Sequence, residues 1–356
     1  MNWKNRITDL LKIKYPFIQA PMLVVTGPEM VAAASEQSCL GSLPLGYSSA
    51  DKAAERIRSV KQRTNKSFAV NLFAYEKPDA IPDIEPSVLK KFYQKFGVPF
   101  FDHIPATDPY TSYEDLIDLI IEEEIPVVSF HFGVPSGTVI EKLHQNNIAT
   151  ICTATCVEEA KMIEQAGIDI VVAQGTEAGG NKGSFLNGNP QIGLMALLPQ
   201  VCDTVRIPVV AAGGMMQARS IAAAFMLGAE GVQMGSLFLR SEESGAPSSW
   251  KEAIANATDT STVLTRAWSG RYGRCILNRL VEDMPEHEIY PSPIQNYLTN
   301  KIREAGRKEN VAEIQSLWAG QSARYATTKG TTDILKDMIQ STEALLSQPF
   351  QFSNSK

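Results

Sequence analysis

Eight times between residues 16 and 235, a short apolar run gives way to a segment with helical periodicity. This alternation constrains the fold more than any single motif does. The strand candidates are PFIQA (16–20), CLGSLPL (39–45), SFAVNLF (67–73), IPVVSFH (125–131), IATICT (148–153), IDIVVAQ (168–174), IPVVAA (207–212) and AEGVQMG (229–235). Between them lie amphipathic patterns such as SADKAAERIRSVKQRT, TCVEEAKMIEQAG and QARSIAAAFMLG. Several strands are apolar almost throughout, as expected of parallel strands covered by helices on both faces. Asn147, Gly167 and Gly228 stand one or two residues before a strand, where a left-handed residue ends a helix. Eight βα units fit a closed barrel better than an open doubly wound sheet, so the expected fold class is α/β, a TIM (β/α)8 barrel.

The chain has 356 residues, whereas such barrels commonly take ~250. The surplus falls in two places. Residues 75–112 follow the third strand and carry the aromatic run KFYQKFGVPFFDHIP, which reads as a lid excursion. Residues 241–320 follow the eighth strand and read as a smaller cap domain over the barrel mouth. The expected division is therefore a barrel at 1–240, a cap at 241–320, and a closing helix with a frayed end at 321–356.

Composition removes several function classes. A net charge of −6 without a basic cluster argues against nucleic acid as the main partner. No apolar run approaches the ~18 residues of a membrane span, and MNWKNRITDLLKIKYP is too polar for a signal peptide, so the expectation is cytoplasmic. Five scattered cysteines offer no paired metal spacing and read as packed thiols, with no metal site expected.

In a βα barrel the ligand site lies at the carboxyl ends of the strands. After the seventh strand comes AAGGMMQARS, and after the eighth comes QMGSLFL. Gly213, Gly214, Gly235 and Ser236 there remove side chains where turns enter helices, which suits a phosphate cradle of backbone N–H groups; tight turns alone would also explain them. AQGTEAGGNKGSF places Gln174 at a strand end and Gly175, Gly179, Gly180 and Gly183 in a loop that can approach a flat ring. Met22, in QAPM, would present a polarisable side chain at the mouth. His131 ends VVSFH between Phe130 and Phe132. Strand alternation allows it to face the mouth as a neutral base, and a structural histidine is the competing reading.

Taken together, QAPM, NLF, SFHFGVP, GTEAGG, AAGGM, GVQMGSLFL, PIQN and WAGQSARYA resemble the FMN-dependent nitronate monooxygenases, formerly 2-nitropropane dioxygenases, from Pro16 to about Tyr325. The resemblance implies FMN over the barrel mouth, with its phosphate at Gly213, Gly214, Gly235 and Ser236. Its ring would contact Met22, Asn71, Gln174, Gly175 and Gly180, with Gln321 reaching in. It implies that His131 takes the α-proton of a neutral nitroalkane. The reaction would be oxidation of alkyl nitronates such as propionate-3-nitronate by O2 to carbonyl compounds and nitrogen oxyanions. Lys182 and Tyr290 are substrate-contact candidates, and the expected state is a monomer or homodimer. One departure stands out: many relatives read EAGGH where this chain reads EAGGN, with Asn181 in the histidine's place. The rivals are a flavin barrel that consumes NAD(P)H, either an enoyl-thioester or a quinone reductase, and a non-redox phosphate-binding barrel.

Overall fold

The computed structural model describes residues 1–78, 80–186 and 189–347, so the expected frayed end beyond 347 lies outside the described residues. All eight strand candidates form strands. In chain order the strands are β1 (Phe17–Gln19), β2 (Gly41–Pro44), β3 (Phe68–Phe73), β4 (Val127–His131), β5 (Ala149–Ala154), β6 (Ile170–Gln174), β7 (Gly180–Asn181), β8 (Val209–Ala212), β9 (Gly231–Met234), β10 (Thr262–Thr265) and β11 (Gly273–Ile276). β1–β6, β8 and β9 make one parallel eight-stranded sheet in the order β1-β9-β8-β6-β5-β4-β3-β2. Its ends meet where Ile18 bridges Leu40, with the Gln19 N–H donating to the Leu40 carbonyl (2.9 Å) and the Leu40 N–H to that of Phe17 (3.0 Å). The sheet is therefore a barrel, and chain and structure agree on a TIM-type α/β fold.

The period of two along each strand sorts the barrel interior into layers. At the amino ends the inward residues are apolar: Ile18, Ala69, Val127, Ile151, Ile170 and Val210 form one buried cluster with Ile7 and Leu11. These last two come from a helix at Arg6–Leu11 that plugs the bottom of the barrel, which the strand-and-helix alternation does not anticipate. Asn5 caps it, its side chain accepting from the Thr8 N–H (3.0 Å) while Thr8 Oγ1 accepts from the Asn5 N–H (2.9 Å). Two residues further along three of these strands the inward positions turn polar at Asn71, Ser129 and Thr153, joined by Gln174 at the end of β6 and Gln233 on β9. The apolar bottom and the polar top thus occupy one alternating register.

Helices cover the outside. Asn147, Gly167 and Gly228 take positive φ (57°, 89° and 101°) as the sequence suggests, each handing a helix to the next strand. The helix Thr331–Leu346 returns to pack against Pro28–Glu36 and Ala218–Met226, closing the outer layer next to β9 and β1.

Beyond the barrel, β10 and β11 form an antiparallel hairpin joined by β7, so part of the glycine loop 173–185 is itself a strand. A second apolar cluster lies apart from the barrel core. It gathers Leu89 and Tyr93 from the helix Ser87–Lys95 with Trp268, Leu298 and Ile302 from the segment after β9. Tyr93 donates to the Leu298 carbonyl (2.7 Å), and Gln295 of PIQN donates to that of Ala267 (2.7 Å). The excursion after β3 and the segment after β9 therefore pack as one body.

Candidate active site

A cavity of about 190 Å3 opens at the carboxyl ends of the barrel strands. Met22, Asn71, His131, Gln174, Gly180, Gly213, Gly214, Gly235 and Ser236 all line it, so the expected site residues converge from six strand ends. Gly213 and Gly214 have φ of 117° and 70°, which a side chain would strain, and Gly214 has open space where a Cβ would stand. Among the described residues the N–H groups of Gly214, Met215 and Ser236 have no protein acceptor, and all three residues line the cavity. The C-terminal segment completes this wall. Gly320 donates its N–H to Ser236 Oγ (2.9 Å), and the Gln321 N–H donates to the Glu177 carbonyl (3.0 Å). A Cβ on Gly179 would stand 2.5 Å from the Ala319–Gly320 backbone, so only small residues allow that contact.

The opposite wall carries the polar ends of β3–β6. Asn71 donates to Ser129 Oγ (2.9 Å), and Gln174 Oε1 accepts from the Gly183 N–H (2.8 Å). His131 Nε2 lies 3.2 Å from the Asn181 carbonyl oxygen. A carbonyl only accepts, so Nε2 carries the proton and Nδ1 keeps its lone pair. Desolvation pushes the imidazole down to about 4, with Arg271 lowering it further and the Asn181 bond opposing, so the ring is neutral at neutral pH. A Cβ on Gly183 would stand 2.8 Å from His131 Cε1 and 3.1 Å from Nδ1. That glycine leaves room for the ring. The loop after Gly183 is held by Glu159, a buried carboxylate that accepts from Thr155 N–H (2.6 Å), Ser184 Oγ (3.1 Å) and Phe185 N–H (2.8 Å).

Four expected residues do not line the cavity. Gly175 packs against the loop and the following helix: a Cβ there would stand 2.2 Å from Glu177 and 2.6 Å from Leu194. Its small size serves packing, not ring contact. Lys182 directly follows β7, is buried and does not line the cavity. Its Nζ has no hydrogen-bond partner among the described residues, and burial pushes its pKa down to about 8. Tyr290 is buried in the second apolar cluster, with its hydroxyl donating to the Ile84 carbonyl. Gln321 contributes its backbone, and its side chain is exposed.

Thr153, which the sequence also places at a polar strand end, lines the cavity together with residues that the sequence reading passes over: Phe73, Ser129, Phe132, Gln233 and Trp318. Ser129, Thr153 and Gln233 were accessible to the same period-of-two argument that singled out His131. Trp318 was not, because it lies 84 residues beyond Met234, the end of the barrel's last strand.

A closed parallel barrel with a donor-lined glycine cradle beside a neutral histidine is the arrangement of a cofactor-dependent barrel enzyme. The family model described as nitronate monooxygenase matches residues 4–341. A probable nitronate monooxygenase of Staphylococcus saprophyticus is 40% identical, covering 98% of this chain and 100% of the relative. Among solved structures, a nitroalkane oxidase from Streptomyces ansochromogenes superposes with a TM-score of 0.87 at 34% identity, covering 96% of this chain and 100% of that one. FabK from Thermotoga maritima gives 0.77 at 30% identity, covering 96% and 97%. The chain belongs to the nitronate monooxygenase family and is an oxidoreductase.

Proposed function

We propose that this enzyme binds FMN and oxidises alkyl nitronates with O2, using His131 as the base when the substrate is a neutral nitroalkane. The observation that carries the reading is the pairing of two features across one cavity: unpartnered N–H groups at Gly214, Met215 and Ser236, and a neutral imidazole at His131. The donor cluster fits a phosphate, because backbone dipoles bind an anion without needing net positive charge. Met22, Asn71, Gln174 and Gly180 line the same cavity and would contact a flat ring attached to that phosphate.

FMN, when bound, supplies the one-electron redox chemistry that yields a carbonyl compound and nitrogen oxyanions with O2 as terminal oxidant. The chain's own residues supply geometry and proton transfer. Phe73 and Phe132 pack beside the imidazole, with ring centroids 6.5 and 4.5 Å away, and keep its surroundings apolar. A neutral imidazole can take the Cα proton, and the C–H electron pair then moves onto the nitro group to give the nitronate. A nitronate supplied as such needs no base.

The test is a visible spectrum of the purified protein, followed by oxygen uptake with propionate-3-nitronate in the absence of NAD(P)H. Flavin absorbance and sustained uptake are expected. Colourless protein that takes up no FMN would overturn the cofactor assignment. Flavin that NAD(P)H reduces, in protein that leaves nitronate untouched, would replace this reading with the reductase one.

A further inference from the structure

We propose that the side-chain amide of Asn181 is a substrate-binding donor that takes an oxygen of the nitro or nitronate group beside His131. This inference rests on the nitronate reading above. Asn181 is half-buried and lines the cavity.

Its two ends are held differently. The backbone is fixed, because β7 pairs antiparallel with β11, placing Asn181 opposite Gly273. Its carbonyl oxygen accepts from His131 Nε2 at 3.2 Å, so residue and base are adjacent. The side-chain Oδ1 is fixed too: Ser269 Oγ donates to it at 2.7 Å, while the Arg271 N–H donates to that same hydroxyl oxygen at 3.3 Å. The Ser269 hydroxyl also lies 3.1 Å from the Arg271 carbonyl, and its shorter contact, to Asn181 Oδ1, leaves Nδ2 on the other side of the amide. Gly273 makes room for it, since a Cβ there would stand 2.8 Å from Oδ1. Nδ2 is left with two N–H groups and no hydrogen-bond partner among the described residues.

An oriented, unpaired donor next to a base has a definite chemical use. As the proton leaves Cα, negative charge grows on the two nitro oxygens, and a fixed N–H aimed at them favours the charged product over the neutral reactant. A carboxamide does this without titrating, unlike an imidazole at the same place. The chain's departure at this position thus gives a donor whose strength does not vary with pH.

Asn181→Asp separates this role from a structural one. The variant keeps an oxygen for Ser269 and the same shape, but replaces the N–H donors with an anionic acceptor. FMN content and melting temperature serve as controls, and KM for ethyl nitronate is the readout. The expected result is native flavin content with KM raised on the order of 10- to 100-fold, the range for losing a hydrogen bond to a charged group. Asn181→His is expected to restore binding below neutral pH and lose it above. An unchanged KM in Asn181→Asp, with wild type turning nitronate over, would overturn the proposal alone. Failure of wild type to use any nitronate would instead overturn the functional reading on which it rests.

Discussion

At the scale of single residues, His131 is decided by what surrounds it. Its carbonyl partner assigns the proton to Nε2, and its apolar neighbours keep the ring neutral. His131→Asn should keep FMN and lose about 100- to 10,000-fold in kcat/KM on neutral nitroethane, the span of a general base. Turnover of ethyl nitronate should change little, and equal losses on both substrates would remove the proton-abstraction role. The pH dependence follows from the direction of the shift. The folded imidazole sits at about 4, below its ordinary 6.5, so the base is active above that value and its acid limb on nitroethane should fall near pH 4. The same shift means the unfolded chain binds more protons between the two values. This contribution to folding stability is complete above about 6.5 and is lost as pH falls towards 4. An acid limb near 6.5 in the pH–rate profile would show that the site does not desolvate the ring.

At the scale of elements, two glycine turns do different work. Gly214 has φ of 70° and open space at its Cβ position. Gly214→Asp would add backbone strain together with a negative charge at the anion cradle. FMN retained after gel filtration should drop more than about tenfold, since a like charge and strain of ~1–3 kcal/mol act together. Unchanged flavin content would show that the cradle lies elsewhere. Gly183 instead abuts the His131 ring, and its loop is clamped by Glu159. Gly183→Ala should therefore keep flavin and reduce nitroethane turnover selectively, by displacing the imidazole. Retained nitroethane activity would show that the ring has room to move. The glycines after β8 and β9 could be picked out from the sequence, because their spacing from each strand is local. The link between Gly183 and His131 could not, since it joins β4 to a loop after β6.

For the whole molecule, barrel stability depends on its closed bottom as well as on its strands. Ile7 and Leu11 are fully buried from a helix that lies outside the βα repeat. Leu11→Ala should destabilise the protein by about 2–5 kcal/mol in denaturant unfolding, the usual cost of a core truncation. The flavin spectrum should be unchanged, because the plug and the cavity occupy opposite ends of the barrel. A loss below about 0.5 kcal/mol would show that the helix is dispensable. The second apolar cluster is a separate case. It joins residues 89–101 to residues 267–314, two stretches that both looked irregular in the sequence. Each is a partial surface whose partner lies more than 160 residues away, so no local periodicity could have paired them.

The chain's own pattern determined the eight strands, the helices between them and the glycines that line the cavity at the strands' carboxyl ends. All of these depend on residues within a few positions of one another, where the periods of strand and helix act. Tertiary structure alone decided that Lys182, Tyr290, Gly175 and the Gln321 side chain stand off the cavity, and that Asn181 meets His131. Those outcomes depend on which distant segments come into contact, through the β7–β11 pairing, the fold-back of residues 318–322 and the buried cluster around Tyr290. Contacts of this kind are set by three-dimensional closure, and local sequence spacing does not encode them.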